Sequence, residues 1–308
     1  MNLETEKNGF EKCTLCPRAC GVNRLAGQLG YCKTGAGIRV ARAALHMWEE
    51  PCISGRQGSG AVFFSGCNMG CVFCQNHEIS GGQAGREITA ERLGEIFWEL
   101  REQGAANINL VTPDHYIPAL APVLREAKAK GFDLPFVYNS SAYVSVDALK
   151  KLEGLIDIYL PDYKYDDSGI AAAYSNAPDY PQTARLAIIE MVRQIKRGTS
   201  VCSFNQEGMM RRGVIVRHLL LPGQLMAAKR IVKYLHDTYE NDIYISLLNQ
   251  YTPVLQHQSY PELSEPVSAK SYRKLVDYAL DIGVEQGFIQ EGRTAQESFI
   301  PSFDLQGV

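Results

Sequence analysis

The chain lacks long apolar segments and any large excess of charge of one sign. No apolar run reaches the ~18–20 residues that a membrane-spanning helix needs. The first ten residues carry Glu4, Glu6 and Lys7 and lack the apolar stretch of a secretory signal. The formal net charge is −3, so the chain has no excess of basic residues of the kind that nucleic-acid-binding proteins show. We therefore expect a cytoplasmic protein that binds neither membranes nor nucleic acid.

Cysteine is almost absent after residue 75, where only Cys202 of the nine cysteines is found. A reducing compartment disfavours structural disulfides, so the eight cysteines before that point indicate metal or redox chemistry. The sequence also lacks internal repeats and low-complexity tracts. Its 308 residues, 45% hydrophobic and 21% charged, are typical of one main globular domain with a small appendage.

From about residue 60, short apolar runs alternate with helical periods. Such an alternation predicts a parallel sheet with right-handed crossovers. The runs that predict strands are Ala61 to Ser65, Asn107 to Thr112, Pro135 to Ser140, Ile156 to Leu160, Val214 to Leu221 and Ile243 to Leu248, with a short last strand at Phe288 to Gln290. Six clear strands are too few for a closed eight-stranded barrel, so we predict an α/β fold, a partial (β/α)6 TIM-like barrel.

The residues before 60 differ, because they are rich in Cys, Gly and Arg and show little periodicity beyond Ile38 to Leu45. We expect residues 1–58 to form a small Cys-rich, metal-binding N-terminal module. Residues 59–308 should form the partial barrel with a C-terminal extension. In parallel α/β folds the functional groups gather at the carboxyl ends of the strands, so the search for a site starts there.

The segment GCNMGCVFCQN follows the first predicted strand and spaces Cys67, Cys71 and Cys74 as C-x3-C-x2-C. Thiolates suit soft metals and iron–sulfur clusters. Three thiolates on a [4Fe–4S] cluster leave one iron without a protein ligand, and an open position distinguishes a catalytic metal centre from a structural one. The alternative is a three-cysteine zinc site that His77 completes.

This spacing, with an aromatic residue before the third cysteine, resembles the signature of the radical S-adenosylmethionine (SAM) superfamily. The resemblance implies that SAM chelates the open iron through its amino and carboxylate groups. Reductive cleavage then gives methionine and a 5′-deoxyadenosyl radical, which abstracts a hydrogen atom. The resemblance also implies that Phe73 lies against the adenine and that Asn76, beside the third cysteine, contributes to cofactor binding.

Longer motifs resemble the pyruvate formate-lyase activating enzyme-like branch, in particular members with an N-terminal CxxCPRxCG segment. They are GSGAVFFSGCNMGCVFCQNHEIS, NINLVTPDHYIP, DIYLPDYKY and VRHLLLPG, and the resemblance covers about residues 13 to 260. The branch implies a reductant such as flavodoxin or ferredoxin, and a protein partner with a glycyl radical loop. Activating enzymes tend to carry a histidine in the segment matching Asn249 to Tyr251, and this chain has none, which argues against a protein-glycine substrate.

A D-x-K pair ends a middle strand in that branch, and Asp162 and Lys164 match it here. Two residues apart on a strand end, their side chains point to the same side. There they can hold the charged groups of SAM, a cation or the substrate, and Lys164 is a candidate catalytic residue. Arg217 lies inside an apolar strand, where an unpaired charge is costly, and it resembles an arginine that meets the SAM carboxylate. The alternative for Asp162 and Lys164 is a surface ion pair at a loop, and for Arg217 it is a structural ion pair.

Polar residues also follow other predicted strands. Asp114 is a candidate SAM contact and His115 a candidate catalytic proton partner, although a helix start would explain both equally well. Asn139 and Gln250 are expected to line the same cavity and bind the cofactor, with loop capping as the alternative.

A second group, Cys13, Cys16, Cys20 and Cys32, is spaced C-x2-C-x3-C-x11-C. Four thiolates complete either a tetrahedral zinc site or a closed [4Fe–4S] cluster. Zinc would stabilise the module and a cluster would carry electrons, and the spacing leaves both open.

The sequence thus predicts an oxidoreductase that cleaves SAM at a [4Fe–4S] cluster to generate a 5′-deoxyadenosyl radical. In one form of the hypothesis the protein activates a glycyl radical enzyme. In another it modifies a small molecule or peptide directly. The alternative from a different class is a non-catalytic scaffold in which both cysteine groups hold metal.

Overall fold

The computed structural model describes residues 9–198, 200–253, 259–290 and 301–308, and a single large sheet organises them. Its strands are β1 (Ile38–His46), β2 (Ser59–Phe64), β3 (Arg86–Ile88), β4 (Ile108–Val111), β5 (Phe136–Ser140), β6 (Ile158–Pro161), β7 (Ser203–Phe204), β8 (Met210–Leu219), β9 (Tyr244–Leu248) and β10 (Gly287–Ile289). Their spatial order is β10-β9-β8-β6-β5-β4-β2-β1-β3, and β7 pairs with β8.

Strands β2, β4, β5, β6, β8, β9 and β10 run parallel, each paired with its neighbour in that order. Every residue of β2, β4, β5 and β6 is buried, as expected for parallel strands that are covered on both faces. Within the described ranges β3 and β10 form the two ends of the sheet, so the barrel is open. The prediction of an α/β fold with an open, mostly parallel barrel is confirmed, and all seven predicted strands are present.

The helices cover the sheet and connect its strands. They are α1 (Pro51–Ser54), α2 (His77–Ser80), α3 (Ala90–Glu102), α4 (Ile117–Ala129), α5 (Val146–Lys150), α6 (Ser168–Ser175), α7 (Tyr180–Ile195), α8 (Leu225–Tyr239) and α9 (Ala269–Asp281), with 3₁₀ turns at Asp114–Tyr116 and Pro261–Ser264. The side chain of Ser145 accepts a hydrogen bond from Ala148 N and so caps the start of α5. None of the helices in the described ranges is both long and apolar enough to cross a bilayer.

Strand β1 extends the sheet on its antiparallel side. It pairs with β2 and with β3, and its remaining edge is met by the end of the chain, where Gln306 O accepts a hydrogen bond from Ala43 N at 2.8 Å. Residues Ile38–His46 were expected within the N-terminal module, yet they belong to the main sheet. The division at residue 58 stays a prediction, and residues 291–300 of the predicted extension lie outside the described ranges.

The cysteine-rich segment packs directly on the barrel. Phe10, Cys13 and Leu15 are buried in the main hydrophobic core, and Ser145 N donates to Leu15 O at 3.0 Å. This packing brings the first group of cysteines to the carboxyl ends of the parallel strands.

Candidate functional site

A cavity of about 230 Å³ lies at the carboxyl ends of the parallel strands. Many of the side chains that line it come from the ends of five strands. They are Cys67, Cys71 and Cys74 after β2, Asn139 from β5, Asp162 and Lys164 after β6, Arg217 from β8 and Gln250 after β9. Phe73 and Asn76 also line the cavity. The strand ends thus bring together all three cysteines of the central motif and seven of the nine other predicted barrel residues.

The loop between β2 and α2 turns tightly around the three cysteines. Gly66 and Gly70 adopt positive φ angles of 88° and 66°, a conformation that favours glycine. All three thiols are free. Ser175 Oγ donates a hydrogen bond to Cys71 Sγ at 3.0 Å, and Met69 N donates to Cys67 Sγ at 3.4 Å. Sulfur atoms in this loop therefore already receive the kind of hydrogen bond that tunes an iron–sulfur cluster.

Burial dominates the acid–base behaviour of these thiols. It raises the pKa of Cys67 to about 11 and that of Cys74 to about 12, and the neighbouring thiols add to the effect. Metal ligation requires the thiolate, so binding of iron at this loop is coupled to the release of protons.

A network of buried charges forms the wall of the cavity opposite the cysteine loop. Arg217 Nε donates to Asp162 Oδ1 at 2.9 Å, and Arg217 Nη2 donates to Asn139 Oδ1 at 2.6 Å. Lys164 Nζ donates to Asp162 Oδ2 at 2.6 Å. These three ionic side chains are each about one-fifth exposed or less. They place two cations and one carboxylate beside the thiols.

The charges in this network stabilise one another's ionised forms. Burial opposes the ionisation of Asp162, but Arg217 and Lys164 outweigh it and hold the pKa of that carboxyl below its ordinary value. Burial likewise opposes the charge on Lys164, and Asp162 raises the pKa of the ammonium above its usual range. The network is therefore ionised at neutral pH.

Glu49 completes the network and was missed by the sequence analysis. Its Oε2 accepts from Arg217 Nη1 at 3.1 Å, and its Oε1 accepts from Asn109 Nδ2 at 2.8 Å. It lies just after β1, next to Glu50, which is 6% exposed. The only signal in the sequence was a pair of acidic residues between an apolar strand and Pro51, and such a pair is usually a solvated turn.

Phe73 both lines the cavity and packs tightly into the wall beneath the cysteine loop. Its ring makes edge contacts with Tyr165, Tyr174 and Tyr251 at centroid distances of 6.2–6.4 Å. On the β9 side, Gln75 Nε2 donates to Gln250 O at 2.6 Å, and Gln290 Nε2 donates to Gln250 Oε1 at 3.1 Å. The position after β9 is therefore tied both to the cysteine loop and to β10.

Asp114 and His115 lie below the cavity and do not belong to its described lining. Asp114 is fully buried and accepts from Tyr138 Oη at 2.8 Å and Ser140 Oγ at 2.5 Å. His115 Nε2 donates to Ser65 O at 2.9 Å, and burial lowers the pKa of this histidine to about 3. A neutral, buried imidazole bound to the backbone supports the cysteine loop, so the position of His115 lends no support to its predicted catalytic role.

The second cysteine group lies beside the first. Cys13 and Cys32 are buried, Cys16 is half-buried and Cys20 is exposed. The side chain of Arg18, between Cys16 and Cys20, donates to the carbonyl oxygens of Asn68 and Met69 in the central cysteine loop at 3.0 and 3.2 Å. Within the described ranges, neither group gathers three side chains closely enough to hold a single metal ion.

Comparison with known families decides the class of this site. The family model described as the radical SAM superfamily matches residues 61–235, which include the three central cysteines, Asp162, Lys164 and Arg217. The chain belongs to the radical SAM superfamily. Membership implies a [4Fe–4S] cluster and SAM as cofactors, and it explains why three thiols and a polar, charged wall face one cavity.

Individual proteins and solved structures also resemble this chain. An uncharacterized protein of Methanocaldococcus jannaschii, MJ0674, is 26% identical over 91% of this chain and 77% of its own length. Two crystal structures of Streptococcus suis SuiB, one of them bound to precursor peptide SuiA, share the fold with a TM-score of 0.50. They are 11% and 10% identical, and the match covers 73% and 77% of this chain but only 46% and 49% of those structures. The similarity to SuiB therefore concerns the fold alone.

The residues present fit the two cofactors that the superfamily implies. Cys67, Cys71 and Cys74 supply the three soft donors of a cluster with one open iron. Asp162, Lys164 and Arg217 supply charges of both signs for the amino and carboxylate groups of SAM. The apolar side chains of Phe63, Val111, Leu219 and Leu248 line the rest of the cavity and offer a surface for the nucleoside.

Proposed function

We propose that this protein cleaves SAM reductively at a [4Fe–4S] cluster held by Cys67, Cys71 and Cys74, and that it uses the 5′-deoxyadenosyl radical for hydrogen abstraction. The cluster would supply the electron that breaks the bond between the sulfonium and C5′. The observation that carries the proposal is that three free thiols and an ionised Asp162–Lys164–Arg217 network line one cavity.

The chain's own side chains have distinct proposed tasks. Arg217 presents a planar fork suited to a carboxylate, and Asp162 presents a carboxylate suited to an ammonium group. Because Arg217 is already bonded to Asp162, Glu49 and Asn139, its guanidinium is fixed in direction before SAM binds. Lys164 brings a second cation to the same wall, and Asn139 and Gln250 add polar contacts at adjacent strand ends.

The finer proposal is activation of a glycyl radical enzyme by a member of the pyruvate formate-lyase activating enzyme-like branch. Its support is the series of long motifs that resembles that branch, together with an open barrel whose site faces outward. A flavodoxin or ferredoxin would provide the electron. We also propose that Cys13, Cys16, Cys20 and Cys32 hold a second metal centre, either zinc or a [4Fe–4S] cluster.

A second candidate is direct modification of a peptide or small molecule. The segment Asn249 to Tyr251 contains no histidine, and Gln250 and Asn249 in that segment are both bonded to Gln290. The end of β9 is thus occupied by an amide network rather than by an acid–base group. This observation favours a substrate other than a protein glycine.

The decisive experiment measures 5′-deoxyadenosine by chromatography. The protein is reconstituted anaerobically with iron and sulfide and then given SAM and dithionite. We expect 5′-deoxyadenosine from the wild type and from Cys202→Ala, and none from Cys74→Ala. Equal product from Cys74→Ala would contradict the proposal, and so would a cluster-loaded wild type that neither cleaves nor binds SAM.

A second experiment distinguishes activation of a glycyl radical enzyme from direct modification of a peptide or small molecule. The reduced protein and SAM are incubated with a candidate glycyl radical enzyme and then exposed to air. Cleavage of the partner at one site supports activation. Direct modification is supported if the partner stays intact and a peptide or small molecule accelerates the cleavage of SAM.

A further inference from the structure

A small cradle lies between the thiols of the N-terminal cysteine group. A Cβ atom on Gly30 would lie 3.1 Å from Cys20 Sγ and 3.6 Å from Cys32 Sγ, which is closer than ordinary contact for the first of them. The backbone of Gly30 is buried, and the absence of its side chain leaves space next to both sulfur atoms. Thr34 Oγ1 lies 3.2 Å from Cys32 Sγ on another side. A glycine at position 30 thus permits the close approach of these sulfur atoms, and Thr34 gives Cys32 a polar neighbour.

A buried guanidinium borders the same group. Arg24 is 1% exposed, the Nε atom donates to Gly35 O at 2.9 Å, and Nη2 donates to Thr34 Oγ1 at 2.9 Å. Arg24 also lies beside the Cys13 thiol. Burial raises the pKa of this thiol, and the nearby Arg24 opposes that rise. Its remaining contacts are the carbonyl oxygen of His115 and the rings of Phe10 and Tyr116.

Arg24 has no carboxylate partner among the described residues, where its N–H groups bind neutral acceptors. A buried charge that only neutral groups surround is strongly unfavourable. Four thiolates around a metal centre carry a net negative charge, which would supply a partner. A buried cation suited to an anionic centre thus lies beside Cys13 and beside Thr34, the neighbour of Cys32.

We propose that Cys13, Cys16, Cys20 and Cys32 bind a second [4Fe–4S] cluster as thiolates, and that Arg24 is its buried counter-charge. This inference rests on the proposal that the four cysteines hold a metal, and it goes further by choosing the metal and naming a positioning residue. It does not depend on SAM cleavage.

Four thiolates suit zinc and a [4Fe–4S] cluster alike. The place of the group in the fold favours the cluster, because the loop that it touches belongs to a family that binds a [4Fe–4S] cluster.

The position of the group also suits a redox centre. The carbonyl oxygen of Cys32 would lie 2.6 Å from a Cβ atom on Gly66, the residue before Cys67. Tyr31 Oη would lie 3.3 Å from a Cβ atom on Gly70, and the side chain of Arg18 holds the loop between them. The segments that carry the two cysteine groups are thus in direct contact, and Cys20 is exposed to solvent.

The test removes the central cluster and asks what metal remains. The variant with Cys67, Cys71 and Cys74 changed to Ala is purified and reconstituted anaerobically, and its iron, sulfide and zinc are measured. We expect about four irons and four sulfides per chain and an electron paramagnetic resonance signal after reduction. Adding Cys20→Ser should remove most of that iron, whereas adding Cys202→Ser should leave it in place.

Each other outcome has a definite meaning. One zinc per chain without iron would overturn the cluster but keep a metal at these cysteines. No metal of either kind would overturn both the inference and the second-metal proposal, while leaving SAM cleavage by the wild type untouched.

The role of Arg24 needs variants that separate charge from folding. Arg24→Met in the same background should shift the midpoint potential of the remaining cluster in the negative direction, because the reduced cluster loses a nearby cation. Arg24→Lys should restore most of the shift. Gly30→Ala leaves the charge unchanged but fills the cradle, so it should cause loss of iron from a protein with an unchanged melting profile. An unchanged potential in a folded, cluster-loaded Arg24→Met protein would remove Arg24 from the proposal.

Discussion

Glu49 and Arg217 are 168 positions apart in the sequence, and their side chains form an ion pair 3.1 Å long. Both side chains are largely buried, with 9% and 13% of their surface exposed. The pair joins the segment that follows β1 to β8. It fixes the guanidinium that is proposed to meet SAM, so its loss should be visible in the stability of the protein.

Removing Glu49 should destabilise the fold. Glu49→Ala leaves an N–H group of Arg217 buried without its acceptor, while Asp162 still compensates the charge, so the change should cost about 1–3 kcal/mol. The free energy of unfolding, measured with urea on the metal-free protein, should fall by about that amount. Asp237→Ala is the matched control, because the Lys233–Asp237 pair is more than half exposed, and its loss should change stability by less than about 1 kcal/mol. Equal effects of the two variants would show that the pair with Arg217 adds little.

Lys164→Met should weaken SAM binding. Lys164 is one of two cations on the cavity wall, and its loss leaves Asp162 with Arg217 alone as a cationic partner. We expect the dissociation constant of the cluster-loaded enzyme for SAM to rise about tenfold, equivalent to about 1.4 kcal/mol. Lys233→Met, on the exposed face of α8, is the control. An unchanged constant, measured by calorimetry, would limit Lys164 to a structural contact with Asp162.

Ser175→Ala should lower the reduction potential of the central cluster. The hydroxyl of Ser175 donates to Cys71 Sγ, and such hydrogen bonds stabilise the more negative, reduced state. A redox titration followed by electron paramagnetic resonance should show a midpoint shifted in the negative direction. Ser168→Ala, at the exposed start of the same helix, should leave the midpoint where it was. A positive shift in Ser175→Ala would contradict this account of the hydrogen bond.

His115 should make the fold sensitive to mild acid. Burial lowers its pKa from 6.5 to about 3, so between these values the unfolded chain binds a proton that the folded chain does not. Stability is therefore fully present above pH 6.5 and is lost as the pH falls below it. Between pH 7.5 and 5.5 this single residue should account for a loss of about 1.4 kcal/mol. His115→Gln, whose amide can still donate to Ser65 O, should show a flatter urea midpoint across that range, and an equally steep profile would assign the acid sensitivity elsewhere.

Local patterns account for the parts of the fold that were predicted. The parallel strands are short and apolar because both of their faces are covered, and the helices between them keep a 3.6-residue period. Asp162 and Lys164 could be placed together because side chains two apart on a strand end share a side. The convergence of Arg217 and Asn139 on them followed from the rule that parallel strands present their carboxyl ends at one edge.

The features that escaped prediction depend on contacts between distant segments. Nothing local distinguishes Ile38–His46 as a strand of the main sheet, because its partners are β2, β3 and the end of the chain. Glu49 was not singled out, because only the folded chain brings it beside Arg217. Arg24 lay in a segment with little periodicity, and only its burial shows that it borders the first four cysteines.

The hydrogen bond from Ser175 to Cys71 spans 104 residues, and it sets the order in which this protein can mature on the ribosome. At about 5–20 residues per second, Cys71 emerges roughly 5–20 s before the residue that holds it. Throughout that interval the central thiols have no finished pocket, and Arg217, which joins the charges of the cavity wall, is made still later. A cluster can therefore enter a complete pocket only after β8 has been translated. The nascent chain has to stay reduced throughout that interval if these thiols are to remain available.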